Sequence, residues 1–364
     1  MVNHKHKTFR AIGLMSGTSL DGVDVLCADF SYENDTWQYH ILAAKTYPYS
    51  EMWLARLQHL PNESAVNFAK THAFYGRYLG QLVQTFLKET GLQADFVASH
   101  GHTIFHQPSI GFTSQIGDGA AISAVCGLPV VCDFRSMDVA LGGQGAPLVP
   151  VGDVLLFAQY DACLNLGGFS NISFKQHNVR LAFDVSPCNL ILNKIAQDLG
   201  FAYDNKGMLA QSAQANQALL TQLNALPFYT QSGAKSLGIE WLNQHFWPIV
   251  EGGETLAEME LLATFTQHIA VQIAKVLNEK AIKEVLVTGG GALNDYLVQQ
   301  IQEKTAARLI VPEIELVQFK EALIFAFLGV LRINNQHNVL QAVTGSKHNH
   351  IGGAIYGNFN LLEQ

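Results

Sequence analysis

The chain has 364 residues, 48% of them hydrophobic and 14% charged. An average soluble domain carries roughly 25% charged residues, so this chain can bury large cores, and a disordered polymer is excluded. Lys and Arg number 22 against 30 Asp and Glu, a formal net charge of −8. No run of basic residues offers the cationic face that displaces counterions from nucleic-acid phosphate, so the expected ligand is small. The length predicts two domains, at about 100–200 residues each. The five cysteines form no CxxC pair, which predicts reduced core thiols and a cytoplasmic protein. The basic start, MVNHKHKTFR, runs into too short an apolar stretch for a signal peptide. Ala322–Leu331 is far short of the ~20 apolar residues that span a bilayer, so no membrane partner is expected.

In chain order, Phe9–Leu14 reads as a strand, Ser16–Gly22 as a turn and Val23–Phe30 as the returning strand of a hairpin. Tyr39–Tyr47 is a third strand. A helix is predicted from near Glu63 to Gly91, with Ala69, Ala73, Tyr75, Leu79, Leu82 and Phe86 on its apolar stripe. Asp95–Ser99 and Pro129–Asp133 are short strands with a helix between them. After the Gly-rich connector Leu141–Pro150 the pattern restarts, with strands at Ala162–Leu166, Ile172–Phe174 and Val179–Phe183. Helices follow at about Pro187–Leu199, Thr255–Glu279, Asn294–Thr305 and Glu321–Arg332, with strands at Glu284–Thr288 and Arg308–Val311. This order predicts an α/β fold of two related domains, each a mixed sheet flanked by helices, with a cleft between them. Domain I is placed at residues 1–140, with 340–364 packing back on it, and domain II at 141–339.

Both halves open on a hairpin with a glycine-rich tip. In the first, Gly17 and Gly22 allow close approach of a phosphate, Thr18 and Ser19 add hydroxyls, and Asp21 or Asp24 offers a carboxylate for Mg²⁺. An ordinary Asp-Gly hairpin turn is the alternative. Neither a Walker A loop nor a Rossmann glycine fingerprint is present. The second tip is Asn165–Asn171, and a third cluster, Thr288–Asn294, joins a strand to a helix. There, glycines let backbone lie flat against a ligand and the helix start favours an anion. Three such clusters at strand ends point to a nucleotide site.

Asp184, in A-F-D-V-S-P-C-N, is placed where a strand ends, with Ser186 as N-cap and Pro187 as first residue of the next helix. That makes it a candidate general base, or a turn Asp that holds backbone amides. His100, His102 and His106 have the even spacing of one strand face. They lack the further ligands of a zinc site, so pocket lining or strand-end hydrogen bonding is expected of them. Arg135 is a cation suited to a substrate carboxylate, or a salt-bridge partner of Asp133 or Asp138. Glu321 opens an apolar helix, where it would stabilise the helix dipole.

The motifs I-G-L-M-S-G-T-S-L-D-G-V-D, S-H-G-H-T-I-F-H-Q-P, Q-I-G-D-G, D-F-R-S-M-D, G-G-Q-G-A-P-L-V-P, N-L-G-G-F-S-N-I-S, V-T-G-G-G-A-L-N and K-E-A-L-I-F-A follow one another in that order. In this combination the chain resembles the anhydro-N-acetylmuramic acid kinases, of the sugar kinase/heat-shock chaperone/actin superfamily, over essentially its whole length. The resemblance implies two actin-like ATPase domains with ATP and Mg²⁺ in the cleft. Phosphates would lie at Gly17, Thr18, Ser19, Leu20, Asp21, Gly22, Val23 and Asp24, with Asp21 toward the metal. Gly167, Gly168, Gly289, Gly290, Gly291 and Asn294 would complete the nucleotide site. Asp184 would be the catalytic base, and His100, Thr103, Arg135, Asn189 and Glu321 would meet the sugar. The implied reaction opens the 1,6-anhydro ring with water and phosphorylates the 6-oxygen, as in cell-wall recycling. A homodimer is compatible with the sequence and not fixed by it. Two motifs depart from the usual pattern: F-D-T-G-P-G-N reads F-D-V-S-P-C-N, with Ser186 and Cys188, and S-H-G-Q-T reads S-H-G-H-T, with His102.

Overall fold

The computed structural model describes residues 8–17, 20–177, 179–231, 233 and 235–359. They divide into two compact units: unit 1 is Met1–Phe157 with Phe319–Gln364, and unit 2 is Ala158–Gln318.

Unit 1 opens with an antiparallel meander: β1 (Thr8–Ser16), β2 (Val23–Glu33) and β3 (Thr36–Tyr47). Helices α1 (Glu51–His59) and α2 (Ala65–Thr90) follow, then β4 (Phe96–Gln107), β5 (Phe112–Ile116), α3 (Gly119–Cys126) and β6 (Val130–Cys132). Unit 2 begins with a second meander: β7 (Ala162–Leu166), β8 (Phe169–Gln176) and β9 (Val179–Pro187). Its longer helices are α4 (Asn189–Asp198), α5 (Glu258–Glu279) and α6 (Asp295–Gln302), with strands β10 (Glu284–Thr288) and β11 (Arg308–Ile310). Helix α7 (Ile314–Ile333) and β12 (Ala354–Tyr356) end the described chain.

The sheet order β3-β2-β1-β4-β6 in unit 1 recurs as β9-β8-β7-β10-β11 in unit 2. In each, the first meander strand pairs in parallel with the next strand, which pairs in parallel with the last. The fold is therefore two mixed sheets flanked by helices. β5 and β12 extend only the first sheet, and both escape the sequence because neither shows a long alternating pattern. Among the described residues, no helix is long and apolar enough to cross a membrane.

Helix α2 starts where Ser64 accepts the Asn67 amide at 3.3 Å, and stops at Gly91 with φ 68°. Its buried face is Thr71, Tyr75, Leu79, Val83 and Phe86, at spacings of three and four. The predicted stripe is thus rotated, since Ala69 is exposed; small alanines do not decide which face is driven inward, and the aromatic and branched residues do. This face joins a core with Ile12, Leu14, Val25, Val97 and Val130.

The division of the chain falls after Phe157 and after Gln318, rather than at 140 and 339. Three contacts hold the difference. The fully buried Asp138 carboxylate accepts the Gly145 amide at 2.6 Å and the Thr344 hydroxyl at 2.7 Å. Buried Lys320 pairs with buried Asp153 at 2.7 Å. Ile324 of α7 packs where a Gly152 side chain would be.

Gly13 of β1 lies directly under α7, so that an added methyl would overlap the Ala322 carbonyl and sit 3.1 Å from the Ala326 methyl. Neither backbone can yield without moving a sheet or a helix. Gly13→Ala is expected to destabilise unit 1 by about 1–3 kcal/mol or more, read as a Tm several degrees lower. An unchanged Tm would show that α7 does not bear on β1 this closely.

Candidate active site

Both meanders turn at the carboxyl end of their first strand, and the candidate residues collect there. In unit 1, β1 and β2 stay paired up to Met15 opposite Asp24. Residues Ser16 to Gly22 form the tip; Thr18 and Ser19, two of the expected phosphate ligands, lie outside the described residues. Leu20 turns back through its amide to the Gly17 carbonyl at 3.4 Å, with φ 60°. Gly22 is needed for space, because a side chain there would stand 2.5 Å from the Tyr47 carbonyl oxygen of β3. Asp24 is half-buried and accepts the Thr46 hydroxyl at 2.6 Å. Burial, with smaller contributions from the negative charges of Asp21 and Glu321, pushes its carboxyl up to about 6.

The ends of β4 and β6 carry the next group. His100 Nδ1 lies 2.9 Å from the Gly101 carbonyl, and its Nε2 accepts Arg135 Nε–H at 3.0 Å. Holding Nε2 as an acceptor requires the neutral Nδ1–H tautomer. Burial foremost, then Arg135, pushes the His100 imidazole well below its ordinary range. Arg135 also donates to the Gly145 carbonyl at 2.6 Å, and burial pushes its guanidinium down to about 10. The alternative reading, a salt bridge to Asp133 or Asp138, is not met, and the Arg135 hydrogen bonds go to these neutral partners. Glu321 is open to solvent but crowded by protein, which raises its carboxyl against the pull of Arg135 and Lys320. The sequence places it at a helix start, whereas α7 begins at Ile314, two turns earlier. Glu321 is therefore not a helix-dipole residue. Thr103 accepts from the Gln115 amide at 3.3 Å, across the β4–β5 pair. His102 turns the other way, to Ser16 Oγ at 2.8 Å, and His106 meets the Thr113 hydroxyl at 3.1 Å.

In unit 2, Asp184 lies within β9 rather than at its end, beside a bulge. Asn171 pairs with Asp184 and Ser170 with Ser186, so Val185 is the extra residue. A bulge re-aims the side chains around it. Asp184 Oδ2 accepts the Leu237 amide at 2.8 Å, and its own amide donates to the Lys235 carbonyl at 3.0 Å. Burial raises its carboxyl above the ordinary range, against the lowering effect of that hydrogen bond. Ser186 and Pro187 stay in the strand, and helix α4 begins at Asn189. Ser186 does not cap the helix because its hydroxyl pairs with Ser170 Oγ at 3.0 Å across the bulge.

The glycine loops of unit 2 interlock. Gly167 and Gly168 receive the amides of Asn189, Cys188 and Leu190 on their carbonyls. The Asn189 side chain donates to the Leu166 carbonyl at 2.9 Å, which commits it to the loop. A side chain on Gly289 would stand 2.5 Å from Asn165 Oδ1, and one on Gly291 would stand 2.8 Å from Leu166 Cβ. A side chain on Gly290 would make ordinary contact with Asn189 Nδ2, at 3.7 Å. Asn294 caps α6 by accepting the Leu297 amide at 2.9 Å. Sequence reading missed Asn165, which touches both glycine loops, although it opens the N-L-G-G motif. The Leu237 amide has no local signal at all, standing 53 residues from Asp184.

A sequence profile of the anhydro-N-acetylmuramic acid kinase family matches residues 9–358. The chain belongs to that family. Anhydro-N-acetylmuramic acid kinases of Shewanella denitrificans and Shewanella amazonensis are 34% and 35% identical to it, over 95% of this chain and 97% and 98% of theirs. That of Pseudomonas syringae pv. tomato is 34% identical over 96% of this chain and 99% of its own. Membership spans both units, so the two hairpins and the third glycine cluster all fall within the family's matched length.

Gly289 has φ 83° and ψ 161°, a region essentially restricted to glycine. Gly289→Ala would add strain of about 1–3 kcal/mol and drive Asn165 out of place. A lower Tm together with weaker adenine-nucleotide binding by calorimetry is expected; an unaltered protein on both counts would remove this loop from the site.

Proposed function

We propose that the chain is an ATP-dependent kinase that opens the 1,6-anhydro ring of anhydro-N-acetylmuramic acid with water. It phosphorylates the freed 6-oxygen, giving N-acetylmuramic acid 6-phosphate and ADP. The observation that carries this reading is Asp184: a carboxylate in a strand bulge, oriented by one fixed amide and raised above the ordinary aspartate range by burial. A base is most effective when its pKa approaches the operating pH. Family membership supplies the reaction class.

In this reading Asp184 takes a proton from water as the water oxygen attacks the anomeric carbon. The bond from that carbon to the 6-oxygen breaks. The 6-oxygen takes the γ-phosphoryl as its bond to ADP breaks, and Asp184 later returns the proton to solvent. Phosphoryl transfer needs mainly positioning and charge stabilisation. The Gly17–Asp24 tip would hold phosphates, and the loops at Gly167–Gly168 and Gly289–Gly291 the nucleoside. His100, Thr103, Arg135 and Glu321 would meet the sugar, with Asn189 holding the loop beside it. Burial, with smaller contributions from the negative charges of Asp21 and Glu321, holds the Asp24 carboxyl at about 6, and a divalent cation beside it would relieve the cost of ionising it. Asp21 and Asp24 would hold Mg²⁺, which neutralises phosphate charge when bound. The phosphate would retain the sugar in the cytoplasm, where we place the reaction.

Asp184→Asn keeps the shape and loses the base, and should lower kcat by about 10²–10⁴. Because the ionised form is required, activity of the unaltered enzyme should fall as pH drops through a pKa above the ordinary aspartate range. A second test runs the reaction in heavy-oxygen water and stops it early. The label should enter the anomeric hydroxyl, beyond the exchange seen with preformed product, and leave the phosphate ester oxygen unlabelled. Background labelling with normal product formation would mean that water does not open the ring.

A further inference from the structure

Asp184 is met twice by one short segment, residues 235–237. Its amide donates to the Lys235 carbonyl at 3.0 Å, and its Oδ2 accepts the Leu237 amide at 2.8 Å. Exposed Ser236 lies between the two. The peptide that carries the Leu237 N–H is planar and rigid, so its aim depends on what holds its two ends. Downstream, the Leu237 side chain packs against the core of unit 2, and the Gly238 carbonyl takes the Trp241 and Leu242 amides. Upstream, a cation holds it. Half-buried Lys235 donates from Nζ to the Phe228 carbonyl at 3.0 Å. The same ammonium stands 4.5 Å from the centre of the Phe228 ring and 5.7 Å from that of Phe183, the residue before Asp184, within the range at which a ring face attracts a cation.

The point of attachment is itself fixed. Phe228 belongs to the 3₁₀ turn Pro227–Thr230. The Tyr229 hydroxyl of that turn lies 2.8 Å from Nε2 of His268, a fully buried residue of α5, and His268 Nδ1 lies 2.7 Å from Asn224 Oδ1. Also on α5, Lys275 donates to the Tyr229 carbonyl at 3.4 Å and stands 4.0 Å from Glu279. Burial, then the like charge of Lys275, pushes the Lys235 ammonium below its ordinary range, against the pull of Glu279.

We propose that Lys235 is a positioning residue for the general base: tied to the Phe228 carbonyl, it fixes the segment that aims the Leu237 amide at Asp184. The proposal rests on the reading of Asp184 as the base. An amide that donates to a carboxylate favours its ionised form. A loosened amide therefore misdirects the Asp184 carboxylate and also raises its pKa. Arginine at position 235 keeps a cation and a donor, whereas methionine keeps the bulk of the stem and has neither.

The test is steady-state kinetics against pH on the full-length protein, with sugar varied at saturating ATP. Lys235→Met is expected to lower kcat roughly tenfold, since small misplacements of a reacting group cost up to about 10²-fold, and to leave KM for ATP unmoved. The acid limb of kcat/KM for the sugar, which reports the free enzyme, should move to higher pH by about one unit, the scale of one hydrogen bond to a charged group. That shift should persist at high salt, because a lost hydrogen bond is not screened as a distant charge is. Lys235→Arg should recover most of both effects. Lys235→Gln, too short to reach the Phe228 carbonyl, serves where the methionine variant fails to fold. An unmoved acid limb in a folded Lys235→Met or Lys235→Gln protein overturns the proposal, as does a shift abolished by salt or an arginine variant as impaired as the methionine one. Asp184→Asn separates the two levels. If it keeps its kcat, the reading of Asp184 as base fails whatever the Lys235 series shows; if it loses kcat while Lys235→Met behaves as the unaltered enzyme, the positioning proposal alone fails.

Discussion

Polar groups taken out of water need a fixed partner or must shift their charge, and the strand-end loops of both units depend on this. Asp184 has the Leu237 amide and still sits above the ordinary aspartate range. Arg135 has no carboxylate hydrogen-bonded to it and instead uses His100 and the Gly145 carbonyl. His100 remains neutral to serve it. A charged histidine there would be a second cation beside the guanidinium and would lose the lone pair that Arg135 needs.

The same requirement organises the scaffold. Asp138, with no exposure, gathers the Gly145 amide and the Thr344 hydroxyl, and so binds two segments 206 residues apart in sequence. Lys320 and Asp153 pair across another long separation. Breaking a buried pair strands a charge, so these contacts specify which segments belong together in unit 1 more strongly than apolar packing, which accepts many partners.

The repeated sheet order places two similar turns in chemically different surroundings. In unit 1, Asp24 beside the tip is raised mainly by burial and, to a smaller degree, by the charges of Asp21 and Glu321. The tip in unit 2 is closed by Asn165, Asn189 and the third glycine cluster, whose backbones approach too closely for side chains. One architecture thus yields a charged loop and a neutral, tightly packed one.

The sequence by itself determined the two meanders, the long helix expected from near Glu63 to Gly91 and found at Ala65–Thr90, and the three glycine clusters, and it singled out Asp184 as a candidate. These are legible because turn residues, helix caps and periodic apolar faces act over a few neighbouring residues. It also carried the family pattern in eight ordered motifs. Tertiary structure alone decided that Glu321 lies two turns inside a helix, that Ser186 bonds Ser170 instead of capping, and that His102 serves Ser16. It also decided that residues 141–157 and 319–339 join unit 1, and that Asp184 is oriented by an amide 53 residues away. Those outcomes rest on desolvation and on contacts between distant segments, and neither is encoded in the spacing of adjacent residues.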